Sequence, residues 1–459
     1  MVALPSPPSL PLLGHAHLFV TDSMIERFGE LASRSSEGLF SLRTPRGTEL
    51  AVVYRASLAE ELLDETRYGK LVGGPLANVR AFTGDGLFTA HGDEPNWAKA
   101  HRILVPGFTM PSMKTYYPAM LEVAQQLVSH WRSAASRGGL TSVVEDTTRL
   151  TLDTIALTGF GFRFGSFDRP ELHPFIAAMG RALTESGAML RRTALAARFA
   201  TKQKRQFAED IATMHELVDR VIRERRLQGG SGHRDFLSLM LDAKDKVTGE
   251  PLDDVNIRYQ VITFLIAGHE TTSGLLAFAL HLLLQNRAAL AKARAEVDRV
   301  FGGTENPTFA QVGELSYVQA VLMETLRLWP TAPAITVTPH EPERLAGRWS
   351  LTPGQVVILL LTKLHRDPEM FDAPEDFRPE RFEGDAAKKV PTHAYRPFGN
   401  GKRACIGKQF ALVEAKLALA LILAHFELEP EPGYTLRVKD TLTIKPEGFR
   451  VKLSRRRAP

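Results

Sequence analysis

The chain has 459 residues, 44% hydrophobic, 24% charged and 8% aromatic, with 57 basic and 52 acidic side chains giving a net charge of +5. That composition builds a large core, and so mild a charge, with no basic stripe or reader motif, excludes a nucleic-acid binder. A single cysteine excludes a disulfide framework and suits a reducing, cytoplasmic setting.

The first 19 residues, MVALPSPPSLPLLGHAHLF, are a stiff proline-rich lead-in without the charged start, apolar block and cleavage site of a secretory signal. Strand patterns follow in FSLRT and ELAVVY. Helical periodicity then dominates, predicting helices over 94–105, 115–134, 143–159, 207–226, 255–286, 288–301, 315–328 and 407–424. Strand-like runs return at VVILLL (356–361) and in TLTIKPEGFRVKL near the end. The glycine-rich loop over 227–235 interrupts helices without marking a domain boundary, so 1–459 reads as one domain ending in a basic tail, SRRRAP. No uninterrupted apolar run is long enough for a membrane span. The run 191–205, RRTALAARFATKQKR, carries six basic residues and no acid. It is either a solvated face or a funnel for anionic amphiphiles.

Four motifs carry chemistry. In NWAKAHRIL, Trp97 and His101 share one helical face; alone they read as a core aromatic and a surface histidine. AGHETTSG (267–274) puts polar groups inside a helix that is otherwise apolar all round, which is costly unless used. It is either a kink satisfied by threonine hydroxyls bonding back to carbonyls or a site. In METLRLWP the i,i+3 pair Glu324 and Arg327 sits among apolar neighbours, which predicts a buried ion pair with further partners. The fourth is PFGNGKRACIGKQFA. Here Cys405 lies among Gly399, Gly401 and Gly407 at a helix N-terminus, where free N–H groups and Arg403 favour a thiolate. No Cys-His-Asn signature and no second metal ligand accompanies it. An axial ligand to a metal held by something else, such as a porphyrin, is what remains.

Phe398, Gly401, Arg403, Cys405 and Gly407 in FGNGKRACIG resemble the FxxGxRxCxG haem loop of the cytochrome P-450 monooxygenases. The resemblance implies a mainly α fold, a helical body around a buried haem with smaller β-sheets. It also implies Cys405 as the proximal iron ligand, a ligation known to favour O–O cleavage. Phe398 would pack beside the sulfur and Arg403 would meet a haem propionate, with Gly407, Trp97, His101 and Lys70 as further haem contacts; His101 stands where the family has arginine. AGHETTSG resembles the oxygen-activation groove, which implies water-mediated proton delivery by Thr271 and Glu270, with Ala267 and Gly268 leaving room. Glu324 and Arg327, joined by Arg381, resemble the family's structural ExxR brace.

TGDGLFT (83–89), TRLTLDTIALTGF, the run 249–276 and LRLWPTAPA are similar to the haem domains of bacterial self-sufficient fatty-acid hydroxylases fused to a flavin reductase. This implies Phe88 over the haem edge and a pocket of Leu76, Thr83, Ile266, Ala332, Ala334 and Leu442. The implied reaction inserts one atom of dioxygen into an apolar or amphiphilic small molecule, above all at subterminal carbons of medium- to long-chain fatty acids. Haem b is the implied cofactor; FMN, FAD and NADPH would act through a reductase outside this chain. A flavodoxin-like donor would then meet Lys99, Arg102, Lys402 and Lys408. A peroxide-driven peroxygenase and a haem-thiolate gas sensor are the alternatives, and the Glu270–Thr271 pair favours dioxygen. One departure stands out: the subfamily's carboxylate anchor is replaced by Thr48 and Val52, with Arg43 and Arg46 close by in sequence.

Overall fold

The computed structural model describes residues 4–10, 14–21, 23–45, 47–169, 171, 173–192, 194–228 and 235–456. The expectations placed on Arg46, on Thr193, on the Arg191 side chain, on 229–234 and on 457–459 lie outside the described residues.

In chain order the elements are α1 (Met24–Ser33), β1 (Leu39–Arg43), β2 (Glu49–Val53), α2 (Ala56–Leu62), β3 (Tyr68–Lys70), α3 (Pro75–Thr83), α4 (Pro95–Leu104), α5 (Met110–Arg137), β4 (Leu140–Ser142) and α6 (Val143–Phe160). Next come α7 (Pro174–Arg191), α8 (Ala194–Phe199), α9 (Thr201–Leu227), α10 (Phe236–Asp242), α11 (Asp254–Gln285), α12 (Arg287–Phe301), α13 (Phe309–Gly313) and α14 (Ser316–Leu328). The last third holds β5 (Ala334–Pro339), β6 (Glu343–Leu345), β7 (Trp349–Leu351), β8 (Val356–Leu360), α15 (Leu361–Leu364), α16 (Lys408–His425), β9 (Phe426–Pro430), β10 (Val438–Asp440), β11 (Ile444–Pro446) and β12 (Arg450–Arg455).

Every helix expected from periodicity forms, with ends within a residue of those expected except in α5, which starts at Met110 and runs on to Arg137, and α9, which starts at Thr201. The sequence reading missed α7, whose pattern is broken by Gly180 and Gly187, and the short α1, α2, α3, α8, α10, α13 and α15. Five strands make the largest sheet, in the order β1-β2-β8-β5-β3; a three-stranded sheet β4-β12-β9 and the ribbons β6-β7 and β10-β11 complete the β structure. Capping fixes several starts: Ser23 accepts from Glu26 N–H, Ser142 from Glu145 N–H and Asp253 from Asn256 N–H.

The main core lies where α5, α6, α11, α14 and α16 pack together, around fully buried Trp131, Phe236 and Leu276. α11 runs through it for 32 residues, about 48 Å at ~1.5 Å per residue. By length and mean hydropathy it could cross a membrane, but His269 and Glu270 interrupt its apolar run and 78% of its most apolar stretch is buried inside the protein, as expected of a buried helix. Its apolarity serves the core. The buried brace forms as expected: Arg327 Nε and Nη2 donate to the two Glu324 carboxylate oxygens at 2.8 Å each. The remaining Arg327 protons reach the carbonyls of His365, Pro374 and Asp376, and Arg381 approaches Glu324 at 3.5 Å. Removing one partner of such a pair costs about 3–5 kcal/mol.

Candidate active site

A cavity of about 1320 Å³ opens where α11, the cysteine loop, the β3–α3 segment, α4 and the β10–β11 turn converge. Its loop wall is built locally. Cys405 N–H donates to the Phe398 carbonyl at 2.7 Å and Ala404 N–H to Gly401 at 3.1 Å, closing a tight reverse path. Gly401 has φ +55°, a conformation that favours glycine, and a Cβ there would lie 2.0 Å from the Glu65 carboxyl carbon, so a substitution would be strained and would displace the Glu65 side chain. Glu65 in turn accepts from Lys402 N–H at 2.8 Å, and Asn400 Nδ2 donates to the Leu63 carbonyl at 2.7 Å.

Cys405 lines the cavity, just ahead of α16. Its exposed surface faces this hollow, so the sulfur is open to a ligand yet set in protein. Burial pushes the thiol above its ordinary range, while the Gly407 N–H and the Lys408 charge pull the other way. The helix-start argument for a thiolate is therefore outweighed by desolvation until a cation meets the sulfur.

Three basic side chains crowd together at the cavity. Lys70 Nζ donates to the Phe88 carbonyl at 2.6 Å; burial, then the Arg403 charge, lowers its pKa to about 7. Arg403 lies 4.0 Å from the Trp97 ring centroid and donates to the Ala90 and His91 carbonyls, and burial holds it below its usual range. His101 stacks on Trp97 at 5.0 Å and is lowered by burial and then by Arg403 and Arg102. Among the described residues no carboxylate pairs with Lys70, His101 or Arg403. The acids that Arg403 feels are committed elsewhere, Glu94 to Arg80 and Glu65 to the Lys402 backbone. A half-buried cluster of basic groups that lacks a carboxylate of its own suits an anion, which would favour the charged forms of all three. A flat macrocycle bearing carboxylates, with its metal over the sulfur, meets both requirements, so the residues present fit a haem.

The apolar wall contains Leu76, Phe88, Ile266, Ala267, Ala332, Ala334 and Leu442, and Phe398 and Gly407 border the cavity beside the sulfur. Thr271 also faces it, with its hydroxyl donating back to the Ala267 carbonyl at 2.7 Å. Thr271 thus makes the back-bond of the first reading while lining the cavity that the second requires.

Other expectations need correction. Thr83 is not on the wall: it is fully buried, donating to the Val79 carbonyl at 2.9 Å and meeting Thr89 Oγ1 at 2.8 Å. Glu270 does not reach the cavity either. His269 Nε2 lies 2.9 Å, Lys445 Nζ 3.1 Å and Thr443 Oγ1 3.0 Å from its carboxylate; desolvation is outweighed by these partners, which hold it well below the usual carboxylate range. Val52 belongs to the core and Arg43 is exposed away from the cavity, whereas Thr48 does line it. In the 191–205 run, Arg192 pairs with Glu185 and Arg205 with Glu209, and among the described side chains Arg198, Lys202 and Lys204 are further exposed cations. Lys445 and Thr443 were missed by sequence reading, because nothing in their spacing points back to Glu270.

The cytochrome P-450 family profile matches residues 4–453. Among curated proteins, the bifunctional cytochrome P-450/NADPH–P-450 reductase 2 of Bacillus subtilis (strain 168) is 50% identical over 413 residues, covering 90% of this chain and 39% of its own length. The self-sufficient cytochrome P-450 monooxygenase CYP505E3 of Aspergillus terreus is 43% identical over 459 residues, covering 99% and 43%. The chain thus spans about two-fifths of the length of these relatives. Among solved structures, the cytochrome P450DA heme domain superposes with a TM-score of 0.95 at 48% identity, over 100% of this chain and 98% of that one. Motif, cavity and relatives agree, and the chain belongs to the cytochrome P-450 family.

Proposed function

We propose that residues 1–459 act as one haem domain of a monooxygenase that places one atom of dioxygen into medium- to long-chain fatty acids at subterminal carbons. The observation that carries this is a single cavity with Cys405 on one wall, Thr271 on another and an apolar lining between. When bound there, a thiolate-ligated haem supplies reductive activation of dioxygen. The chain's own part is to bind, orient and exclude water. Leu76, Ile266, Ala332, Ala334 and Leu442 bury an alkyl chain, at about 0.8 kcal/mol per methylene or roughly fourfold in affinity. The Thr271 hydroxyl, released from Ala267, can move a proton at its Oγ1 atom. Electrons come from NADPH through a flavin reductase, a reading supported by the reductases named in the relatives. The lone free thiol suits the cytoplasm.

The described cavity wall carries Lys439 beside Asp440 but no paired anchor for a carboxylate, so the head group is loosely held and several subterminal carbons are oxidised. The test supplies the haem-loaded chain with NADPH, a flavin reductase, dodecanoic acid and isotopically labelled dioxygen. Hydroxydodecanoic acids carrying one labelled oxygen are expected. Product that forms only with added peroxide, or none at all, overturns the reading.

A further inference from the structure

The β10–β11 ribbon is a small element with a large stake in the cavity. It has three residues per strand, paired from Val438 with Pro446 to Asp440 with Ile444, and its turn residues Thr441, Leu442 and Thr443 all line the wall. A two-stranded ribbon of this size does not hold itself in water, so its fastenings decide where Leu442 stands.

Three fastenings are present. The Asp440 carboxylate accepts from Ile25 N–H at 3.1 Å and from the Ser23 hydroxyl at 3.5 Å, at the start of α1. Ile444 N–H donates to the Thr331 carbonyl at 3.0 Å. On α11, Glu270 takes the Thr443 hydroxyl and the Lys445 ammonium together, and Lys445 Nζ also lies 3.4 Å from Thr148 Oγ1 on α6. The third fastening is the charged one, and its two side chains are only 15% and 12% exposed, so water screens it little. It is also where the ribbon comes closest: a Cβ on Gly274 would stand 2.9 Å from the Ile444 carbonyl and 3.3 Å from Lys445 Cγ. Thr443 directly follows Leu442, so the clamp grips the turn beside the residue that faces the cavity.

We propose that Lys445 is a positioning residue which, by clamping Glu270, fixes Leu442 against the substrate and so sets which carbon of the alkyl chain is presented for oxidation. The acid of AGHETTSG then serves as the anchor of a specificity ribbon instead of a proton carrier at the cavity wall. This rests on the fatty-acid reading for its substrate, but not for its mechanics.

The test compares haem-loaded wild type, Lys445→Met, Lys445→Arg and Leu442→Ala by three readouts. These are hydrogen exchange of the 438–446 segment, the spin-shift dissociation constant for dodecanoic acid, and the distribution of hydroxylated carbons. Lys445→Met should speed exchange at Thr441 and Ile444 at least tenfold, weaken dodecanoic acid severalfold and spread the product positions. Lys445→Arg should restore all three. Leu442→Ala should spread the products without raising exchange at Ile444. If Lys445→Met does not fold, Thr443→Val removes the hydroxyl arm alone and should give the same changes at smaller size. Unchanged exchange and unchanged product positions in the folded variant overturn the proposal. So does a loss of product per NADPH with exchange unmoved, which would make the pair a proton carrier. Faster exchange in a protein that oxidises no fatty acid, wild type included, would uphold the clamp while the substrate reading fails.

Discussion

Lys70 holds Phe88 twice: its ammonium donates to the Phe88 carbonyl at 2.6 Å and lies 4.8 Å from the centroid of the Phe88 ring. One side chain thus ties the basic cluster of the cavity to an aromatic on its apolar wall. Lys70→Met is expected to loosen both. Losing a charged hydrogen bond costs about 1.5–3 kcal/mol, so haem should pass to an apo-globin scavenger roughly ten- to a hundredfold faster. Haem loss at the wild-type rate would contradict the role of Lys70 as a haem contact.

Glu414 makes a separate prediction. It lies buried in α16 with no hydrogen-bond partner for either carboxyl oxygen, and burial pushes it well above the ordinary carboxylate range. The polar side chain that acts on it is Thr154, whose one hydroxyl hydrogen already goes to the Leu150 carbonyl at 2.8 Å. Burial outweighs what Thr154 offers, and the neutral form of Glu414 is favoured. Its folded pKa is raised above the unfolded value near 4.5, so above that pH the unfolded chain holds fewer protons and stability falls as pH rises. The slope from this one group is up to ~1.4 kcal/mol per pH unit. Thermal unfolding from pH 5 to 8 should therefore show Glu414→Gln gaining on wild type as pH rises. A difference that does not change with pH would contradict a protonated Glu414.

The surface under the cysteine loop is less basic than its sequence suggests. Arg102 gives a bidentate pair to Asp245 at 2.6 Å, and Lys99 pairs with Glu250 at 3.3 Å. Lys402 and Lys408 are exposed there, and nearby Val105 and Met110 are 41% and 46% exposed. Reversing Lys402 and Lys408 together should slow haem reduction by an acidic flavodoxin several-fold and flatten its dependence on ionic strength. Reversing Arg102 should instead lower stability, by stranding Asp245. Stopped-flow reduction across a salt series, with melting curves for each variant, checks both. An unaltered salt profile in the double reversal would place docking elsewhere.

What was legible in the sequence was local. The cysteine loop carries its own turn glycines and helix start within fifteen residues, and the long helices announce themselves by period. Partner choice across the chain was not legible. Asp245 is 143 residues from Arg102, and Lys445 is 175 from Glu270; no periodicity links them. Only the resemblance places Thr83 on the wall, yet its hydroxyl turns inward to Val79 and Thr89. Glu270 reads like a catalytic acid because it adjoins Thr271, but consecutive residues on a helix point about 100° apart. Here Thr271 faces the cavity, while Glu270 is turned aside by His269, Lys445 and Thr443.

The central claim is that Cys405 ligates a haem iron in this cavity. The most direct measurement is the absorption spectrum of the reduced, carbon monoxide-bound haem protein, for wild type and for Cys405→Ala. Wild type should show the strongly red-shifted Soret band of a thiolate opposite carbon monoxide, and Cys405→Ala should lose it while circular dichroism shows the helices intact. A histidine-type Soret band in folded wild-type protein, or a red-shifted band that survives in Cys405→Ala, would contradict the account.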